Sequence, residues 1–184
     1  MKTYRHVLLM TLVLGLLASG SAQAYEIEQQ FGVFGAYQDL DDLDEGYGVG
    51  LKYMMMFEEV APKTDLGYDV RGSWLTGNSA GADIDVYPLE FTGLVRWELA
   101  PQTKLYMGPG VGYYWFEEDT GAADVDDDIG VYGVIGLEQA LTDTLALSVE
   151  MKYLYVDSDA SGVGAQSVDD VTGFGATIGL AYKW

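Results

Sequence analysis

From residue 25 onward, apolar and polar side chains alternate with a period of two, in eight separate runs. Successive residues of a strand point to opposite faces, so such a run folds into a strand with one apolar and one polar face. The runs span 25–38, 46–57, 64–74, 86–98, 103–116, 128–138, 144–156 and 171–184. Their apolar faces carry residues such as Val33, Leu51, Val70, Leu89, Val111, Ile135, Leu147 and Ile178. No charge stands on any of these faces. Lys52, Arg71, Arg96, Lys104 and Lys152 all take the opposite parity, as do Glu26, Glu28, Asp65, Asp69, Glu90, Glu98, Glu138 and Glu150.

The connections between runs also alternate. Residues 58–63, 99–102 and 139–143 are short turns, whereas 39–45, 75–85, 117–127 and 157–170 are longer and acidic. Short turns at one end and long loops at the other describe an antiparallel up-and-down meander. Alternation leaves open which face points outward, since a soluble barrel keeps its apolar face inside. Two features favour the inverse. Glycines crowd the charged face (Gly46, Gly48, Gly50, Gly108, Gly110, Gly112, Gly173, Gly175 and Gly179), where a narrow eight-stranded interior needs small residues. Aromatics collect on the apolar face near both strand ends: Tyr37, Trp74, Tyr113, Trp115 and Tyr155 towards the long loops, and Tyr53, Phe57, Tyr68, Trp97 and Trp184 towards the short turns. Two such rings are what the two membrane interfaces select. The fold expected is all-β: an eight-stranded antiparallel up-and-down transmembrane β-barrel. Its charged face lines the lumen, where Lys52, Asp69, Arg71, Glu90, Arg96, Lys104, Glu138, Glu150 and Lys152 form a charge network with Gln30 and Tyr132. Pairing is required there, because an uncompensated buried charge is very costly.

Residues 1–24 read as a cleavable signal peptide. Lys2 and Arg5 supply the basic start, residues 7–17 the apolar stretch, and Ala22-Gln23-Ala24 a cleavage site after Ala24. Eleven apolar residues are too few for a spanning helix, which needs about 20. The remaining 25–184 form a single barrel domain. With 29 acids against 9 Lys and Arg and a formal charge of −20, nucleic acid is excluded as a partner. The absence of Cys excludes disulfides and thiolate chemistry.

The leader, the eight runs and the closing Phe174-x-Ala176-x-Ile178-x-Leu180-x-Tyr182-x-Trp184 resemble the small eight-stranded outer-membrane barrels of Gram-negative bacteria, the OmpA-barrel and OmpX-like proteins. The resemblance implies integral residence in the cell outer membrane, contact with its lipids and lipopolysaccharide, and a monomer. It also implies insertion by the barrel assembly machinery, with Ile178, Leu180, Tyr182 and Trp184 as the assembly signal. A periplasmic peptidoglycan-binding domain is not expected, since the chain stops with the eighth run.

Catalysis is not expected. Lipid-modifying barrels use a His to activate a nucleophile, and the sole His, His6, lies in the leader. No cofactor is expected. The four long segments, together with Asp128, contain 18 acids and no Lys or Arg. Asp124, Asp126 and Asp128 are candidates for Ca²⁺, but Ile129 follows where an EF-hand has Gly, and a solvated acidic rim is the plainer reading. Met54-Met55-Met56 places Met55 outward and its neighbours inward, as gap fillers. The function expected is a structural or envelope-interaction role, with acidic loops displayed and the lumen plugged. A narrow cation-selective channel is the alternative, and a lipid-modifying enzyme a more distant third.

Overall fold

The computed structural model describes residues 26–40, 43–79, 82–118, 128–156 and 171–184. Within them the chain forms eight strands: β1 (Ile27–Leu40), β2 (Leu43–Ala61), β3 (Thr64–Ser79), β4 (Ala82–Ala100), β5 (Thr103–Glu118), β6 (Asp128–Ala140), β7 (Leu145–Val156) and β8 (Val171–Lys183). Each pairs antiparallel with its sequence neighbours, and β1 pairs with β8, so the sheet closes into a barrel. Closure removes the sheet edges, whose bare N–H and C=O groups lipid could not satisfy. At the seam the Gln29 amide donates to the Trp184 carbonyl at 3.1 Å, and the Trp184 amide donates back to the Gln29 carbonyl at 3.0 Å.

The faces sort as the alternation predicts. Val33, Val49, Ile178 and Met151 are exposed on the outer wall, whereas Asp69, Arg71, Glu90, Arg96 and Glu150 are buried inside; Ile178 is 59% exposed and Arg96 0%. An outer wall this apolar would aggregate in water but suits acyl chains. Aromatic pairs mark its two ends. Tyr113 meets Trp115 edge-on at 4.7 Å towards the long connections, and Tyr182 stacks on Trp184 at 5.9 Å towards the turns.

Several strands outrun the predicted segments. β2 takes in Glu58 through Ala61, β3 continues to Ser79, and β4 begins at Ala82, so most of 75–85 is strand rather than loop. A strand of 19 residues spans about 60 Å, far more than a tilted bilayer crossing needs. Beyond the membrane both faces are wet, so pairing persists where alternation has no reason to. The β2–β3 hairpin turns through Pro62 and Lys63, with Lys63 left-handed at φ 58° and Glu59 at φ 51° in an irregular stretch of the ladder. The Glu59 amide there donates to Asp65 Oδ1 at 3.0 Å. Prolines also stand inside β4 and β5. Pairing of β3 with β4 lapses between Gly72↔Leu89 and Leu75↔Val86, beside Pro88, which has no amide proton to donate.

Candidate functional site

The site is the lumen. Its side chains come from alternate positions of all eight strands, and the barrel's closure brings together residues far apart in sequence. They form two groups, one nearer the short turns and one nearer the long connections.

The turn-side group centres on Arg96 of β4. Its Nη1 donates to Glu28 Oε1 at 2.5 Å, and its Nε donates to Asp65 Oδ2 at 2.9 Å. Glu58 lies 3.7 Å and Glu138 3.8 Å away. Arg96 Nη2 is 2.9 Å from Asp65 Oδ2, in ion-pair range but without an aligned hydrogen bond. Lys104 of β5 stands 3.4 Å from Glu28, 3.5 Å from Glu58 and 3.7 Å from Asp65. Lys183 of β8 is 3.9 Å from Glu28. Gln30 ties the acids together by donating to Glu28 at 2.8 Å and to Glu138 at 2.9 Å. Four acids thus face three cations.

The loop-side group is built on Glu150 of β7. It pairs with Lys52, accepts from Arg71 Nη1 at 2.5 Å, and accepts from the Tyr106 hydroxyl at 2.6 Å. Arg71 turns its remaining donors to Asp69, Nε at 3.0 Å and Nη2 at 2.5 Å. This fork on a carboxylate uses the planar geometry that distinguishes Arg from Lys. Thr92 donates to Asp69 at 3.0 Å and its hydroxyl meets that of Tyr132 at 2.7 Å. Further towards the loops, Lys152 pairs with Glu90 at 2.5 Å, and Tyr114 donates to the same carboxylate at 2.7 Å. Lys152 also stands 5.3 Å above the Tyr132 ring, within cation–π range. Here three cations face three acids.

The glycines on this face make room for the large rings. A Cβ at Gly136 would stand 2.5 Å from Tyr106 Cζ, one at Gly112 would meet Tyr114 at 2.8 Å, and one at Gly110 would collide with the Tyr132 ring. Near the loop end a cavity of about 20 Å³ lies beside Phe34, Arg71, Glu90 and Lys152, enough for about one water.

Lys52, Asp69, Arg71, Glu90, Arg96, Lys104, Glu138, Glu150 and Lys152 all lie in this lumen and all share its ion pairs. Glu26 and Glu98 share their parity but sit at the rim, exposed. Five participants escape sequence reasoning. Glu58 falls in a predicted turn, because alternation stops at Phe57 although β2 does not. Lys183, Thr92, Tyr106 and Tyr114 carry the lumenal parity and are readable from it. Of the Ca²⁺ candidates, Asp124 and Asp126 lie outside the described residues, and Asp128 is described only as the first residue of β6, backbone-paired with Tyr114. No group of three or more His, Cys, Asp or Glu arranged to hold a metal ion occurs among the described residues. Ala24 and the rest of the leader also lie outside them. Ile178, Leu180, Tyr182 and Trp184 are exposed on the outer wall of the last strand and beyond its end.

A closed eight-stranded wall with an apolar exterior and an ion-paired interior defines an integral β-barrel of the bacterial outer membrane. The chain belongs to the outer membrane protein beta-barrel domain family, whose model matches residues 8–183. Among solved structures it is similar to Neisserial surface protein A, at 15% identity over 86% of this chain and 97% of that one, with a TM-score of 0.60. It is also similar to the outer membrane protein OprG of Pseudomonas aeruginosa, at 16% identity over 87% and 96% and a TM-score of 0.60. A third is Ail, the attachment invasion locus protein of Yersinia pestis, solved with the heparin analogue sucrose octasulfate, at 16% identity over 86% and 99% and a TM-score of 0.56. No curated protein matches.

Proposed function

We propose that this protein is a structural barrel of the outer membrane, closed to solutes and without catalytic activity, which presents acidic segments for contacts at the envelope surface. The observation that carries the reading is the lumen's ion pairing. Each of its six cations, Lys52, Arg71, Arg96, Lys104, Lys152 and Lys183, has a carboxylate within ion-pair distance. Such side chains occupy the axis that an aqueous path would need. A plugged, monomeric barrel then acts through its ends and its wall. The wall takes up outer-membrane lipids and lipopolysaccharide, and Ile178, Leu180, Tyr182 and Trp184 serve as the strand read by the assembly machinery.

The acidic outer segments set the class of surface partner. With no Lys or Arg in the four long connections, they disfavour a sulfated polyanion of the kind bound by Ail and favour cationic partners or divalent ions. Asp124, Asp126 and Asp128 remain the candidates for such ions. The lack of any His beyond His6 supports a non-enzymatic role.

The test is conductance in planar bilayers. Folded protein, identified by a mobility shift between unboiled and boiled samples on a detergent gel, is expected to give no steady openings. Steady cation-selective openings would replace this reading with the narrow channel.

A further inference from the structure

Between the two ionic groups the lumen holds an apolar layer. On β2, Met54 and Met56 stand between Lys52 and Glu58; on β4, Leu94 stands between Thr92 and Arg96; on β6, Val134 stands between Tyr132 and Glu138. On β5, the Tyr106 ring follows Lys104. These five side chains, from four strands, pack as one buried cluster, with Met56 and Tyr106 at 0% exposure. The layer is tight. A Cβ at Gly67 would lie 2.5 Å from Met56 Sδ, and one at Gly136 the same distance from Tyr106 Cζ. Among the described residues no ion pair crosses it: Arg96, Lys104 and Lys183 pair only with Glu28, Glu58, Asp65 and Glu138, whereas Lys52, Arg71 and Lys152 pair only with Asp69, Glu90 and Glu150. Tyr106 caps the layer, its ring within the cluster and its hydroxyl donated to Glu150.

We propose that, within this side-chain-filled lumen, the thioether and aliphatic septum is the decisive barrier to ions, the ion pairs narrowing the path without by themselves sealing it. The proposal rests on the reading of the lumen as closed, and it identifies what closes it. Charged side chains can exchange partners with one another, with water and with a passing ion, so an ionic layer offers a permeant cation new ligands in place of those it sheds. Met, Leu and Val offer none. An ion entering the septum gives up its hydration without replacement, and a constriction of this kind excludes water as well. The neutral upper group and the lower group, one negative charge in excess, are then two buried ion-paired zones separated by an apolar floor.

The test compares three forms of the folded barrel in planar bilayers: the unaltered chain, Met56→Ser/Leu94→Ser in the septum, and Glu90→Gln/Lys152→Met in the ionic group. The unaltered chain and the ionic variant are expected to stay closed, and the septum variant to show steady cation openings. A septum variant that folds and stays closed, or an ionic variant that opens as readily, overturns the septum while leaving the closed barrel standing. Openings in the unaltered chain overturn the closed barrel itself. Thiol labelling covers the case in which the double septum variant does not fold. The natural chain has no Cys, so Met56→Cys and Lys104→Cys each supply a single probe. A charged methanethiosulfonate is expected to react at least about tenfold more slowly at position 56 than at 104, because labelling a buried site waits on local opening. Equal rates overturn the septum.

Discussion

At the scale of single residues, the lumen is a set of charges that lack solvent, and each depends on the exact presence of its partner. Glu150 accepts from Lys52, Arg71 and Tyr106 together. Glu150→Ala leaves Lys52 without the carboxylate it pairs with, so it is expected to destabilise the folded barrel by about 3–5 kcal/mol. The measurement is equilibrium urea unfolding in lipid vesicles; a loss below about 1 kcal/mol, the range of exposed pairs, would show the site to be wet. The pair Lys152 and Glu90 tests the same physics differently. Glu90→Gln alone strands a cation beside the Tyr132 ring, whereas Glu90→Gln/Lys152→Met removes both charges. The double variant is expected to be more stable than the single one, since replacing a whole buried pair is often close to neutral. A double variant less stable than Glu90→Gln alone would contradict this.

At the scale of strands and hairpins, one local constraint is the left-handed backbone of Lys63 in the β2–β3 turn. L-residues tolerate that conformation poorly and β-branched ones worst. Lys63→Val is therefore expected to cost about 1–2 kcal/mol, and Lys63→Gly to cost nothing or to stabilise slightly, by the same unfolding measurement. Equal stabilities for the two variants would refute the argument. Strand identity was legible in the sequence because the membrane imposes parity: one misplaced charge on a lipid-facing position is expensive, so Val33, Val49 and Val131 alternate cleanly with lumenal residues. Strand ends were not legible, because β2 from Glu58 and β3 towards Ser79 pair in water, where neither face is selected. The same boundary concealed Glu58 among the site residues. Parity also supplied the lumenal set without its pairings. Lys52 meets Glu150 from β7 and Arg96 meets Glu28 from β1 because of how the sheet closes, and no local pattern encodes that geometry.

At the scale of the whole molecule, the barrel inverts the usual distribution of polarity, and the cost of a charge should depend on depth and face. Met151→Arg places a cation near the middle of the outer wall and is expected to cost about 2–4 kcal/mol, whereas Leu145→Arg, at the turn end of the same strand, should cost about 0–1 kcal/mol. Vesicle unfolding of the two variants reads the difference, and equal costs would mean that the wall does not face acyl chains. The septum adds a second kind of order along the axis. The two ionic zones are expected to tolerate removal of a whole ion pair without opening to ions, while polar substitution in the apolar floor between them should open it.

The seam between Gln29 and Trp184 has its own consequence for biogenesis. Because the first strand bonds to the last, every incomplete chain carries two naked margins, each able to capture a stray strand from another copy. The contact of greatest sequence separation is the one that ends this vulnerability, and it can form only after everything between has emerged. Long-range closure of this kind is intrinsically slow and exposed to aggregation. The interval before the wall joins is therefore when this protein most needs an escort.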